Sequence, residues 1–146
     1  MSKYKFKLQK LLDIRIDEEE ESKLLYSKAQ NNKNIVANKL NELENNYKKY
    51  SDISIAKDTI TQKITMNYLM HLNTHIKDTA KELQAKEVEL EKAKKDFIDK
   101  RIKRRSLEVL KENQALEMKK EEERLEQISN DEFALYSYIR KASNLQ

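Results

Sequence analysis

His71 and His75 stand four residues apart. On a helix that spacing puts both imidazoles on one face, which is the geometry of two metal ligands. Asp78 is the only carboxylate in the next turn on that side, and the chain has neither a third histidine nor a cysteine. An incomplete ligand set fits contact with a partner, or a place beside a helix seam, better than a metal centre. The expectation is no metal and no cofactor.

Other chemistry lacks its parts. Without cysteine there is no thiol nucleophile, and without glycine there is no phosphate-cradling loop. Serines are present, but nothing orients either histidine into a triad. The many carboxylates belong to a solvated helical surface, which offers no dry, concave site to shift their pKa values. The chain is expected not to be an enzyme. The densest positive patch is Lys100, Arg101, Lys103, Arg104 and Arg105. It suits an acidic protein partner or a solvated helix face. Nucleic acid is disfavoured, because no aromatic residues interleave with these cations as a stacking platform.

The elements that carry these residues follow from what is missing. The 146 residues include no glycine, proline, cysteine or tryptophan. Average usage would supply roughly 10 glycines and 7 prolines. Tight hairpins and Pro-punctuated loops need those residues, so sandwiches, barrels and Rossmann units are excluded. Hydrophobic and charged residues each make up 38% of the chain. That is too polar for a filled globular core, but it suits helices burying one stripe each. Disorder is the competing reading of so many lysines, glutamates and asparagines, and the periodic leucines and isoleucines argue against it. The net charge of +4 is spread evenly along the chain, which leaves no basic arm. No segment has the apolar length of a signal peptide or a membrane span, so a cytoplasmic location is expected.

Two periodic blocks appear. In the first, Tyr4, Leu8, Leu11, Arg15, Glu18, Ser22, Leu25, Ala29, Asn32 and Val36 alternate steps of four and three. A four–four stutter then leads to Leu40, Leu43, Tyr47 and Tyr50. In the second, Leu69, Leu72, Ile76, Thr79, Leu83, Lys86, Leu90, Ala93, Phe97, Lys100, Arg104 and Leu107 keep strict alternation. A three–three stammer to Leu110 follows, and the phase continues through Gln114, Glu117, Glu121, Arg124, Ile128, Asp131, Leu135 and Tyr138. Between the blocks lie the best turn and cap formers, Ser51, Asp52, Ser54, Asp58 and Thr59. The expected fold is all-α: a single coiled-coil domain over 1–146, with helix 1 at about 3–50, a turn at about 51–58 and helix 2 at about 59–141. The two long helices form an antiparallel hairpin, with Asp58 or Thr59 as the second N-cap.

A reversal near residue 55 makes residue i face roughly residue 110 − i. Acidic Asp17–Glu21 then falls near Lys92, Lys94 and Lys95. The Lys100–Arg105 cluster falls near Lys3, Lys5, Lys7 and Lys10, which makes one end basic. The unequal helix lengths, about 70 Å and about 125 Å, leave part of the second helix overhanging. In that part, Glu117–Glu121, Lys120–Arg124 and Glu122–Glu126 are repulsive i, i+4 pairs, whereas Lys119–Glu123 is favourable. The segment is therefore expected to want a partner.

Near the N-terminus the chain reads Phe6-x-Leu8-x-Lys10-Leu11-Leu12-Asp13-x-Arg15, followed by Glu18–Glu21. Near the C-terminus it reads Arg104-Arg105-x-Leu107-Glu108-x-Leu110-Lys111-Glu112-x-Gln114, then Glu122-x-Arg124-x-Glu126-Gln127 and Asp131-Glu132-Phe133-Ala134. In order, spacing and length these resemble the flagellar export protein FliJ family across essentially the whole chain.

The resemblance implies a cytoplasmic component of the flagellar type III secretion apparatus, associated with the inner-membrane export machinery through its partners only. It implies an antiparallel coiled coil similar to the gamma stalk subunit of rotary ATPases. The implied partners are the hexameric export ATPase, the cytoplasmic part of the export gate protein and export chaperones, with no nucleic acid. The implied ATPase contacts are Phe6, Leu8, Leu11, Leu12, Arg15, Arg104, Arg105, Leu107, Leu110, Gln114, Arg124, Gln127, Asp131 and Glu132. The implied gate contacts are Asn67, Tyr68, His71, Leu72 and Ile76, although the family tends to place an aromatic where this chain has His71. A stalk protein of a virulence type III system, or a generic coiled-coil tether, would share the architecture.

Overall fold

A computed structural model describes residues 4–53 and 58–144. It contains two helices, α1 (Gln9–Ile53) and α2 (Thr59–Asn144), and no strand among the described residues. The helices pack against each other as an all-α hairpin. Ser51 and Asp52 belong to the last turn of α1. Ser54 and Ile55, where the reversal was expected, lie outside the described residues. Asp58 is the N-cap of α2. Its carbonyl accepts from the Gln62 N–H at 3.0 Å, and its Oδ1 accepts from the Ile60 N–H at 3.5 Å. Helix α1 starts later than its periodicity suggests. Tyr4–Leu8 is not helical, and the Gln9 N–H closes a turn onto the Phe6 carbonyl at 3.1 Å.

The chain divides into two compact units, one formed by residues 17–101 and the other by residues 1–16 with 102–146. In the first, α1 and α2 run antiparallel. Tyr26 stacks on Phe97 with ring centroids 5.9 Å apart, and Tyr50 meets Tyr68 edge-on at 4.9 Å. Val36, Leu72, Ser22 and Thr79 are buried between the helices. The Ser22 hydroxyl donates to the Glu19 carbonyl at 2.9 Å, which lets a polar residue sit in the seam at no cost in unmet hydrogen bonds. The α2 seam from Leu69 to Lys100 follows the expected spacing. On α1, Leu25 and Tyr47 are exposed, and Tyr26 takes the place expected for Leu25. An aromatic ring there reaches Phe97 on the opposite helix, a contact worth more than burial of a leucine alone.

The register also differs from the expected one. A reversal at residue 55 would set Tyr26 against Gln84 and Tyr50 against Ile60; Phe97 and Tyr68 stand there instead. Pairing is displaced toward the C-terminus of α2 by roughly two to four helical turns. The cause lies at the start of α2. Asp58 caps the helix where expected, but residues 58–64 are exposed, and burial begins only at Thr65. Lys92, Lys94 and Lys95 consequently lie alongside the Lys28–Asn31 stretch and not alongside Asp17–Glu21.

In the other unit, the N-terminal segment lies along α2. The Tyr4 hydroxyl donates to Gln114 Oε1 at 2.8 Å, and Lys111 Nζ donates to Gln9 Oε1 at 2.7 Å. Phe6 and Leu12 are buried, at 7% and 3% exposure, whereas Leu8 and Leu11 are exposed. The early turn explains this. Before Gln9 the chain has no helical period, and the first fully buried residue of α1 is Leu12. Lys5, Lys7 and Lys10 lie alongside the Glu108–Ala115 stretch, not beside Lys103–Arg105, so the expected basic end does not form from them. Lys3 is outside the described residues.

The phase of α2 changes after Leu107. The half-buried positions are Leu107, Glu108, Lys111, Ala115 and Met118, while Leu110, Gln114 and Glu117 are exposed. The expected three–three stammer is therefore a four–four stutter. Packing decides between them. The longer steps leave Lys111, Ala115 and Met118 half-buried, with Lys111 reaching Gln9, and the shorter ones would have turned Gln114 and Glu117 inward. Residues 119–144 are exposed throughout.

Candidate functional site

All of the expected ATPase contacts lie in the unit of residues 1–16 and 102–146, and all of the expected gate contacts lie in residues 17–101. Within the first set, three apolar side chains face inward. Phe6 and Leu12 are buried, and Leu107 is half-buried. Leu8 and Leu11 are 41% and 37% exposed, and Leu110 is 38% exposed. Ile14, Val109 and Leu116 of the same unit are exposed as well. Gln114 sits at the rim, held by Tyr4. Arg15 is half-buried.

The charged members are organised by ion pairs along α2. Arg104 Nη1 donates to Glu108 Oε2 at 2.7 Å, and Arg105 Nη1 donates to the same oxygen at 3.1 Å and to Glu112 at 3.3 Å. The Arg104 and Arg105 guanidiniums hold the Glu108 carboxyl below the usual carboxylate range. Arg105 is raised in turn by its bonds to Glu108 and Glu112. Such a ladder stiffens the helix and turns a run of cations into a surface of mixed charge. Farther along, Arg124 binds Glu121 through two nitrogens, at 3.0 and 2.6 Å. This i, i+3 pairing sets an attraction against the expected Lys120–Arg124 repulsion and lowers the Glu121 carboxyl. Glu132 borders a shallow surface depression with Phe133, Tyr136 and Arg140, and Gln127 and Asp131 border another.

Of the expected gate contacts, Leu72 is buried and Ile76 half-buried between the helices. Asn67, Tyr68 and His71 are exposed, as is His75. Among the described residues, no group of three or more histidine, cysteine, aspartate or glutamate side chains is placed to hold a metal ion.

A family model described as Flagellar FliJ protein matches residues 4–143. The chain belongs to the flagellar FliJ family. Its members are structural components of the flagellar export apparatus, and this chain is accordingly a component of that apparatus. Nothing matches among curated proteins or solved structures. Within the described residues, no helix is long and apolar enough to cross a membrane.

One set of residues on this FliJ-family chain escaped the sequence reading. From Met118, the stutter-corrected phase runs Glu121, Leu125, Ile128, Glu132, Leu135 and Ile139 in unbroken three–four steps. That seam is mostly aliphatic. The phase expected from the stammer placed Arg124 and Asp131 in it and made it look charged. The signal was present in the spacing of Leu125, Ile128, Leu135 and Ile139, but it becomes legible only once the Leu107 step is known.

Proposed function

We propose that this chain is a non-enzymatic coiled-coil component that binds the hexameric flagellar export ATPase and raises its turnover. It links the ATPase to the cytoplasmic part of the export gate protein and assists export chaperones. It works in the cytoplasm, at the membrane only through these partners, and takes no part in nucleic-acid binding. Family membership over residues 4–143 carries the reading. The segregation of the two residue sets into different units supports it, since an ATPase and a gate could then be engaged at once. Long helices without glycine or proline have no built-in hinge, and this suits mechanical coupling. Chemistry belongs to the ATPase; the chain contacts the ring asymmetrically and promotes its assembly or turnover.

The test is ATP hydrolysis by the purified cognate ATPase with and without the full chain. A faster rate and co-elution on size exclusion are expected. An unchanged rate together with separate elution would end the proposal.

A further inference from the structure

The Tyr4–Leu8 stretch carries two patterns at once. Tyr4, Leu8 and Leu11 keep the spacing of a helix face, while Tyr4-Lys5-Phe6-Lys7-Leu8 alternates apolar with basic residues, the period of an extended chain. Residues 4–8 are not helical, and α1 starts at Gln9, after the turn closed on the Phe6 carbonyl. No glycine or proline enforces this, because the chain has none. Tertiary contact holds the segment instead. Phe6 is only 7% exposed, and the described residues of its unit offer it no element but α2 and the start of α1. A bond on either side ties the segment down: the Tyr4 hydroxyl donates to Gln114 Oε1 at 2.8 Å, and Lys111 Nζ donates to Gln9 Oε1 at 2.7 Å.

This arrangement leaves Leu8 exposed, one turn before the buried Leu12. A helix continued back from Gln9 would exchange Phe6 and Leu8. Counted from Leu12 at about 100° per residue, Leu8 falls about 40° away, on the buried face, and Phe6 about 120° away, on the outer one. Lys5 would come round with Leu8 at the end of the helix, where its stem can lie on α2 with the amine in water. The backbone would gain helical hydrogen bonds and give up the Tyr4–Gln114 bond and the Phe6 packing. Gln9 is already helical, is also bonded to Asp13 at 2.9 Å, and would serve as the pivot. Two packings of one segment therefore compete for α2, one presenting Phe6 to it and the other Leu8.

Resting on the reading that Phe6 and Leu8 belong to the part that meets the export ATPase, we infer that Tyr4–Leu8 is an autoinhibitory strap. In the free chain it holds Phe6 against α2 and out of reach. Binding the ATPase releases it: α1 lengthens to Tyr4, Leu8 moves in beside Leu12, and Phe6 turns outward. The apparent affinity is then set by the fraction of chains whose strap is open.

The experiment uses the full chain, which has no cysteine of its own. Tyr4→Cys with Gln114→Cys, joined by a short bis-maleimide, locks the strap. The same variant capped with N-ethylmaleimide is the control, so both samples carry the same substitutions. Tyr4→Phe keeps the ring, removes the bond to Gln114 and loosens the strap. In calorimetry with the purified ATPase, the joined chain is expected to bind about tenfold more weakly than the capped one, and Tyr4→Phe about two- to threefold more tightly than wild type. Loss of a simple contact would not tighten binding. Equal affinity of the joined and capped chains, or no gain in Tyr4→Phe, overturns the inference and leaves the ATPase reading in place. Poor joining of the two cysteines would show that the strap does not lie on Gln114 and overturns it as well. A wild-type chain that does not bind removes the ATPase reading and the inference with it.

Discussion

Tyr26 stacks on Phe97, their ring planes 9° apart and their centroids 5.9 Å apart. This contact couples the middle of α1 to α2, in a seam whose other members are largely small or aliphatic. Truncating either ring to alanine should cost about 1–2 kcal/mol, the loss of an aromatic pair plus part of its burial. The double variant should cost less than the two single variants together, because each ring's value depends on the other. Thermal unfolding followed by circular dichroism measures all three, and strict additivity would show that the stack contributes no coupling.

The register can be read chemically, because the chain carries no cysteine of its own. Tyr50 meets Tyr68 at 4.9 Å, whereas a reversal centred on residue 55 would pair it with Ile60. A chain with Tyr50→Cys and Tyr68→Cys should be joined by a short bis-maleimide with high yield. The chain with Tyr50→Cys and Ile60→Cys should react poorly. Mass spectrometry of the digested products distinguishes the two, and preferential joining of the second pair would refute the observed register.

Asp58 accepts from the Ile60 N–H and begins α2. Asp58→Ala should destabilise the chain by about 1 kcal/mol, the usual cost of losing an N-cap, and Asp58→Ser should restore most of it. Hydrogen exchange should quicken at residues 60–64 in the alanine variant and leave the amides near Leu72 as they were. Uniform quickening would mean that the cap supports more than the first turns.

Glu108 predicts a pH dependence. Arg104 and Arg105 lower its pKa in the folded chain below the unfolded value. The pairing therefore contributes stability above the unfolded pKa and loses it as pH falls through the folded one. The effect should be under about 1 kcal/mol, since the partners are partly exposed. Glu108→Gln should flatten the fall in thermal midpoint on acidification below the ordinary carboxylate range. An identical pH profile in the variant would show that the ladder adds nothing to stability.

Residue types and their spacing were enough to establish two long helices, a cap at Asp58 or Thr59, the α2 seam from Leu69 to Lys100 and the resemblance at both chain ends. Each of these depends on local properties: cap chemistry, the absence of glycine and proline, and the recurrence of apolar side chains every three or four residues. The Tyr4–Leu8 stretch was less legible, because its apolar residues keep a helical spacing that the early Phe6–Gln9 turn overrides.

Register and phase were decided by tertiary structure alone. A seam with period three and four looks the same when one helix slides along another, so spacing cannot tell whether Tyr26 meets Gln84 or Phe97. Nor can it choose between Leu110 and Lys111 after Leu107, since both steps are allowed along a helix. Packing makes that choice, leaving Lys111, Ala115 and Met118 half-buried while Leu110, Gln114 and Glu117 are exposed. The same choice turns Leu125, Ile128, Leu135 and Ile139 onto one continuous face, because a phase set at one point of a stiff helix is carried along its whole length.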